Sequence, residues 1–340
     1  MAWLTGWDYR KKLTINGESA TTETNIVFRV VANYGTGTDS GHEVYLNSNS
    51  RTDFGDVRFT ASDGETELDY FFESFDSSNL GLFWVKIPSI PATPGDVDIF
   101  LYYGNSSAST TSNPQNTYVE FEGFESTPFS LDTGSMTLIQ NADGLTGSHG
   151  ARTDESSDSH RVIYQNVTDY DLRDYFIELA AKWPTNSGNN NRNLVGGILA
   201  AGQNSGNDGY QIILDPRGSD SVQIRRDTNF NTRTNGNFSA VVNTWYLLKA
   251  YMTDASTLRA ELWSQYGDVN HGTTTRSSDT PYTTGRHGLY SFTQDNNSFD
   301  NLRVRPRPGV DPTVGAWGAE EEPPSAELVI GPFPTFFRPA

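Results

Sequence analysis

Cysteine is absent from the chain, which excludes disulfides, zinc–thiolate centres and thiol nucleophiles. Stability must therefore come from packing and from β-sheet hydrogen bonds. Long apolar runs are also missing, and none approaches the roughly 20 residues of a membrane-spanning helix. The first residues lack the apolar core of a signal peptide. We expect no membrane insertion and no export signal.

The chain has few basic residues. The 340 residues include 42 acidic and 24 basic side chains, which gives a net charge of −18. A surface this acidic repels nucleic acid and anionic membranes, so we predict neither as a partner. Few of the basic residues are lysines: Lys11, Lys12, Lys86, Lys182 and Lys249. An acidic, lysine-poor surface is typical of proteins from high-salt environments, and a GC-rich genome explains the lysine deficit equally well.

The motifs of common catalytic sites are missing as well. No two histidines have the H-x-H or H-x-x-x-H spacing of a transition-metal site. The sequence contains neither a G-x-S-x-G nucleophile elbow nor a P-loop. We therefore predict no catalytic residues.

The pattern that is present is one of short strands separated by turns. Residues 1–107 contain six alternating segments, at 9–15, 25–31, 57–60, 67–75, 82–87 and 97–103, which predict a β-sandwich. Residues 108–117 are small and polar, and predict a flexible linker. Residues 118–318 contain too many strands for one sheet and predict a two-sheet jelly roll. The fold class is therefore all-β, with two antiparallel β-sandwich (jelly-roll) domains in series and an extended C-terminal arm at 319–340.

Four stretches of the first domain, at 6–15, 56–64, 84–88 and 99–105, together resemble the DUF2341 family. The resemblance covers roughly residues 3–107. It implies a small β-sandwich of a kind found in secreted, surface and viral proteins, often beside lectin-like modules and without an established catalytic motif. In the second domain, the strands at 209–214, 244–251, 288–292 and 299–304 resemble concanavalin A-like, laminin-G-type lectin and glucanase modules over roughly residues 118–306.

A cluster of carboxylates opens the second domain, at Glu120-x-Glu122-x-x-Glu125. In a strand, Glu120 and Glu122 share one face while Val119 and Phe121 share the other. The spacing resembles that of the catalytic carboxylates of a jelly-roll glucanase family. That family prefers Asp in the middle position and places the motif deep in its domain, and Gly123 would loosen the strand here. We therefore predict a noncatalytic protein and keep glycoside hydrolase as the alternative.

The same carboxylates also suit calcium. The carbohydrate-binding jelly rolls that the second domain resembles often tie their first strand to their last through one ion. Here the last strand offers Asp300, and oxygen ligands suit a hard cation. The sequence thus suggests a calcium site formed by Glu120, Glu122 and Asp300. The alternative is that Asp300 lies in a turn and both glutamates face water.

The C-terminal arm combines prolines with large apolar residues. The prolines forbid a helix, while exposing apolar side chains costs about 1.5 to 3 kcal/mol each. The arm should therefore dock through Phe333, Phe336 and Phe337. We predict that it lies on a neighbouring copy or another virion subunit, and the alternative is that it folds back on its own sandwich.

These features favour a noncatalytic viral structural or adhesive protein, such as a capsid-associated spike, decoration protein or tail and receptor-binding component. Its expected location is the virion surface or the extracellular space, and a cell-surface glycan is a candidate partner. The alternative is a secreted or cell-surface carbohydrate-binding module or glycoside hydrolase of the concanavalin A-like fold.

Overall fold

The computed structural model is built almost entirely of β-strands. It describes residues 2–324 except 77–78, 128, 130, 135–137, 154–159, 166–168, 183–194, 203–208, 216–220, 227–232, 239–240, 242, 266, 268, 279–280 and 293–297. Within this part of the chain, no helix is long and apolar enough to cross a bilayer. The predicted arm residues Phe333, Phe336 and Phe337 lie outside the described residues.

The first sandwich begins the chain. Its elements are β1 (Tyr9–Asn16), β2 (Glu23–Asn33), β3 (Glu43–Tyr45), β4 (Arg58–Thr60), β5 (Tyr70–Asp76), β6 (Leu80–Ile90) and β7 (Asp96–Tyr103), followed by the one-turn helix α1 (Pro114–Thr117).

The jelly roll follows. Its strands are β8 (Glu120–Glu122), β9 (Leu131–Gly134), β10 (Leu138–Asn141), β11 (Gly150–Thr153), β12 (His160–Gln165), β13 (Tyr170–Asp171), β14 (Tyr175–Lys182), β15 (Val195–Gly202), β16 (Tyr210–Asp215), β17 (Ser221–Arg226), β18 (Arg233–Asn237), β19 (Tyr246–Met252), β20 (Thr257–Ser264), β21 (Asn270–Ser277), β22 (Thr284–Phe292) and β23 (Ser298–Pro306). A last strand, β24 (Thr313–Trp317), comes after it.

Four sheets form two cores. The first sandwich packs sheet β24-β1-β7-β4 against sheet β3-β2-β6-β5. The jelly roll packs sheet β10-β11-β23-β14-β19-β20-β21, with β8 beside β23, against sheet β18-β17-β16-β15-β22-β12-β9, with β13 beside β22. Most pairs are antiparallel, and β2 with β3 is parallel. The predicted all-β fold with antiparallel sheets is confirmed.

Alternating side chains place each core. In β1, Leu13 and Ile15 point into the first core, whereas Lys12 and Thr14 are part-exposed and bond to Asp98 on β7. Strand β6 does not alternate in this way, because residues 81–85 are all buried. A strand that is buried on both faces must have a second layer against its outer side. The jelly roll supplies that layer.

The second domain does not run to residue 318 as predicted. Strand β24 leaves the jelly roll and pairs with β1, with Leu13 opposite Trp317 and Asn16 opposite Thr313. Val314 and Trp317 pack against the first core. The first sandwich is therefore completed by the C-terminal part of the chain, and the jelly roll is an insertion within it.

The segment that we predicted to be a flexible linker is held in place. The backbone N–H of Asn113 donates to the carbonyl of Tyr70, and the hydroxyl of Ser112 accepts from the N–H of Phe72. Arg58 donates to the carbonyl of Ser109. Small polar residues predicted mobility, but they also leave the backbone open for pairing along the edge of β5. The prediction of a flexible linker is therefore wrong.

Glu320 and Glu321, which were predicted to be part of the extended arm at 319–340, also lie on the first sandwich. Glu321 exchanges two backbone hydrogen bonds with Arg10, and its carboxylate accepts from the Arg10 guanidinium at 2.7 Å. Glu320 accepts from Asn47, Asn49 and the Tyr103 hydroxyl. Burial and then Glu320 raise the pKa of that tyrosine above its usual range. Any segment beyond residue 324 therefore starts from the first sandwich.

Candidate functional site

The seam between the two sandwiches contains apolar contacts and a set of buried polar contacts. An apolar cluster of Val27, Phe71, Trp84 and Tyr118, with Phe121 packed against it, fills one part of the seam. These side chains come from β2, β5, β6 and the start of the jelly roll. The rings of Phe71 and Phe121 lie 5.0 Å apart between centroids. The aromatic residues on the outer face of the first sandwich are thus covered by the jelly roll.

Beside this cluster lies a group of charged side chains that we call the seam network: Glu73, Trp84, Glu178, Arg303 and Arg305. Arg303 on β23 is fully buried, and it donates from Nη1 to Glu73 Oε1 at 2.7 Å and from Nε to Glu178 Oε2 at 2.8 Å. Arg305 donates from Nη2 to Glu178 Oε1 at 2.7 Å. Each buried guanidinium therefore faces a buried carboxylate, the arrangement that a buried charge requires.

Glu73 joins the two domains directly. Its Oε2 accepts from the indole N–H of Trp84 at 2.6 Å within the first sandwich. Its Oε1 accepts from Arg303 and, at 2.9 Å, from the side-chain amide of Asn301. Both of those donors belong to the jelly roll. One carboxylate thus receives three hydrogen bonds, two of them across the seam.

A β-bulge places Asn301 for this contact. The register between β14 and β23 shifts between Glu178 and Ala180, and Asn301 has a φ of 48°. Asparagine tolerates this left-handed conformation better than most residues. Bulges change the direction in which neighbouring side chains point. The bulge lets β23 place Asn301 and Arg303 toward Glu73 while Leu302 stays in the jelly-roll core.

The electrostatics of the network favour full ionisation. Burial opposes the charge on Glu178, but Arg305 and Arg303 more than offset it and lower the pKa of that carboxyl to about 2. Arg303 also stacks on aromatic rings, with its guanidinium carbon 4.6 Å from the Trp84 centroid and 5.2 Å from that of Tyr118. These cation–π contacts stabilise the buried cation further.

A cleft of about 220 Å³ opens along the seam next to this network. We call it the seam cleft. The first sandwich contributes Arg29, His42 and Trp84, the jelly roll contributes Lys249, Trp263 and Arg305, and Asp311 on the connection to β24 also lines it. The cleft therefore exists only where the two domains meet.

Lys249 lies at the jelly-roll side of the cleft. Its ammonium is 2.9 Å from Glu261 and sits 4.7 Å from the Phe176 ring and 5.3 Å from the Trp263 ring. Glu261 also accepts from the indole of Trp263 at 2.8 Å. Burial opposes ionisation of Glu261, but Lys249 offsets it and lowers the pKa to about 2. The ion pair and the indole hold one another in fixed positions.

The three predicted calcium ligands are not brought together. Glu120 Oε2 lies 2.7 Å from His287 Nε2 on the opposite sheet of the jelly roll, in an alignment that does not make a hydrogen bond. Glu122 accepts from the backbone N–H of Phe124 at 2.7 Å. Asp300 accepts from the backbone of Leu145 at 2.7 Å, of Thr146 at 3.0 Å and of Asn301 at 2.7 Å.

Three backbone N–H groups donate to the Asp300 carboxyl and hold it against residues 145 and 146. Burial raises the pKa of its carboxyl to about 8, against the lowering effect of those three N–H donors. Among the described residues, no group of three His, Asp or Glu side chains is placed to hold a metal ion. In the part of the chain that the structure describes, Glu120, Glu122 and Asp300 are therefore not brought together as a set of metal ligands.

The prediction that Glu120 and Glu122 share a face agrees with the pairing of β8, but the face is not the solvated one. Glu120 lies opposite Val304 and Glu122 opposite Leu302, both of which are core residues of the jelly roll. Phe121 lies opposite Arg303 and faces the seam. The third carboxylate of the glucanase-like spacing, Glu125, accepts from the backbone of Ser148 and His149. Each carboxylate of the motif has a separate structural contact.

Sequence reasoning missed the seam. The signal that could have found it is a lone acid within an apolar strand. Glu73 follows Tyr70, Phe71 and Phe72, and Glu178 sits between Ile177 and Leu179. A carboxylate at such a position needs a buried cation.

Comparison with known proteins gives matches to both domains. The family model "Domain of unknown function (DUF2341)" matches residues 53–135, which confirms the predicted resemblance but with a range shifted from 3–107. A second model, "SO2946-like, C-terminal domain", matches residues 161–299 within the jelly roll. The concanavalin A-like and laminin-G-type resemblance stays a prediction.

Among solved structures, the carbohydrate binding module CBM66 from Bacillus subtilis is similar over 51% of this chain and 94% of that chain, at 16% identity and a TM-score of 0.38. The comparison with curated proteins gives no match. The chain is thus similar to a DUF2341 domain over residues 53–135, which span part of the first sandwich and the start of the jelly roll, and to an SO2946-like C-terminal domain within the jelly roll.

Proposed function

We propose that the protein is a noncatalytic structural and adhesive surface protein that presents its jelly roll to a glycan ligand. The observation that supports this most directly is the way in which the two sandwiches are joined. The chain crosses between them twice, before β8 and after β23, and the seam network bonds them between those crossings. Such a joint transmits force between domains instead of allowing them to swing, which suits attachment.

The noncatalytic part of the proposal is supported by the carboxylates. Glu120 lies 2.7 Å from His287 inside the jelly roll, Glu122 accepts from the backbone N–H of Phe124, and Glu125 accepts from the backbone at 148–149. A retaining glycosidase needs two carboxyl groups about 5 Å apart that both reach the sugar. Incubating the purified protein with β-glucans and measuring reducing ends tests this. Release of sugar that Glu120→Gln abolishes would establish an enzyme instead.

The location is part of the same proposal, which assigns the protein to the surface of a virion as a spike, decoration or tail component. The arm beyond residue 324 would attach it to its own copies or to other virion subunits. Labelling native particles with an antibody against the jelly roll, followed by electron microscopy, tests this. Label on the outer surface of particles supports a virion protein. Label on cell surfaces without particles would favour the alternative, a secreted or cell-surface carbohydrate-binding module.

A further inference from the structure

The seam cleft has no excess of negative charge, since the cations Arg29, Lys249 and Arg305 line it together with the acids Glu178 and Asp311. The chain as a whole carries a net charge of −18. In and beside the cleft, Lys249 is paired with Glu261, and Arg305 is paired with Glu178. An ionic ligand would have to compete with these short, buried pairs, and a phosphate or carboxylate would gain little from Lys249 and Arg305, which are already compensated.

A neutral ligand with many hydroxyl groups suits such a site better. An ammonium has three donors and a carboxylate has about four acceptor positions, so an ion pair of the two retains capacity for further hydrogen bonds. Hydroxyl groups both donate and accept, and can bond to both members of a pair. Lys249 and the exposed Asp311 offer one donor group and one acceptor group to the same cleft.

The cleft also offers an aromatic surface. Trp263 lines it, and the hydrogen bond from its indole to Glu261 fixes the orientation of the ring. A ring held in this way can pack against an apolar face of a ligand without losing much conformational entropy. The carbon-bound hydrogens on one face of a pyranose form such a face, while its hydroxyl groups lie around the edge.

The size of the cleft limits how much of a ligand it can hold. Its volume is about 220 Å³, whereas pockets for drug-sized ligands have about 300 to 1,000 Å³. One sugar ring is therefore the largest unit that the space suits, with the rest of a chain directed outward past the connection that contains Asp311.

We infer that the seam cleft binds the neutral terminal sugar of a glycan, with the ring packed on Trp263 and its hydroxyl groups bonded to Lys249 and Asp311. This inference rests on the adhesive part of the proposed function and assigns it a site. It also gives the joint a second role, because the site is complete only when both sandwiches are in place.

The test is to screen the full-length protein on an array of neutral and acidic glycans, and then to measure affinity for the best neutral glycan by calorimetry. Trp263→Ala removes the ring and should weaken binding by about tenfold or more. Trp263→Phe retains a smaller ring and should recover part of the loss. The matched control is Trp3→Ala, since Trp3 packs on Arg10 and Tyr102 of the first sandwich, away from the cleft.

Circular dichroism establishes that each variant is folded. If Trp263→Ala does not fold, Asp311→Asn provides the second measurement, because Asp311 is exposed and lies in no strand. It should reduce affinity severalfold. Affinity that stays within about twofold of wild type in these variants would overturn the cleft as the site while leaving glycan adhesion intact. Preference for acidic glycans would overturn the neutral ligand, and absence of binding to every glycan would overturn the adhesive function itself.

Discussion

Replacing Arg303 with methionine tests whether the seam network holds the two sandwiches together. Arg303 is fully buried and bonds to Glu73 and Glu178. Methionine keeps a long side chain against Trp84 but removes the charge. Glu178 retains Arg305 at 2.7 Å, so the uncompensated charge falls on Glu73. That carboxylate would stay buried with neutral donors alone.

The expected cost follows from that uncompensated charge. Breaking a buried ion pair by removing one partner costs about 3 to 5 kcal/mol. Since Glu73 keeps two of its three hydrogen bonds, we expect the lower end, about 3 kcal/mol. Adding Glu73→Gln to Arg303→Met removes the stranded charge. The two changes should therefore couple by about 1 to 3 kcal/mol, with the double variant more stable than the sum of the single effects predicts.

Urea unfolding, followed by tryptophan fluorescence and by far-ultraviolet circular dichroism, measures these free energies where the two probes coincide. The control is Lys12→Met, which breaks the part-exposed pair with Asp98 on the first sandwich. Such a surface pair is worth at most about 1 kcal/mol. The reasoning fails if Arg303→Met costs no more than this control, or if the effects of Arg303→Met and Glu73→Gln are simply additive.

Three further predictions concern acid, truncation and calcium. Burial opposes ionisation of Glu178 and Glu261, but their cationic partners lower both pKa values from 4.5 to about 2. The two ionised carboxylates therefore stabilise the fold fully at pH values above the ordinary pKa of 4.5, and this stability should be lost as the pH falls through about 2. Urea unfolding midpoints measured across that pH range check the sign. Deleting residues 325–340 should leave the melting temperature unchanged and abolish assembly, which sedimentation measures. Deleting residues 313–340 should also lower the melting temperature, because β24 is lost. Adding a chelator should leave the melting temperature unchanged, since an ion bound only to the folded state would raise it.

Local patterns predicted most strands of the first sandwich, because the main ones are eight or eleven residues long. Strands β1, β2, β6 and β7 contain the predicted segments. The pairing of β24 was not predicted, because this strand is five residues long and its partner β1 lies about 300 positions earlier in the chain. A short strand shows which residues share a face, but nothing in its own sequence identifies the strand with which it pairs.

The seam illustrates a second limit. On β23, Arg303 and Arg305 alternate with Leu302 and Val304, a pattern typical of a strand with one solvated face. The alternation was informative, since Leu302 and Val304 do lie in the core. It could not show that another domain covers the arginines. Whether a polar face is wet or buried depends on what packs against it, and the matching acid, Glu73, is some 230 positions away.

For a related reason, the sequence could not show that the three predicted calcium ligands are not brought together among the described residues. Spacing placed two glutamates on one side of β8 and an aspartate on the neighbouring strand, which is correct. Metal binding, however, needs the oxygens of all three side chains to converge on one point. The Asp300 carboxyl instead accepts hydrogen bonds from backbone N–H groups. Either a loop N–H or a calcium ion can satisfy a buried carboxylate. The sequence does not show which of the two is present, because that depends on the three-dimensional arrangement.

The insertion of the jelly roll also constrains how an attached molecule would present it. Glu320 and Glu321 bond to the first sandwich beside Arg10 and Tyr103, so an arm that anchors the protein would pull on that domain. Strands β1 and β24 are neighbours in one sheet, and force on the arm would load their hydrogen bonds. The jelly roll is linked to the same domain on its other side, through the sheet that contains β2 and β6. An anchored protein would therefore hold the jelly roll on the side of the first sandwich opposite its attachment, with the seam cleft between the two domains.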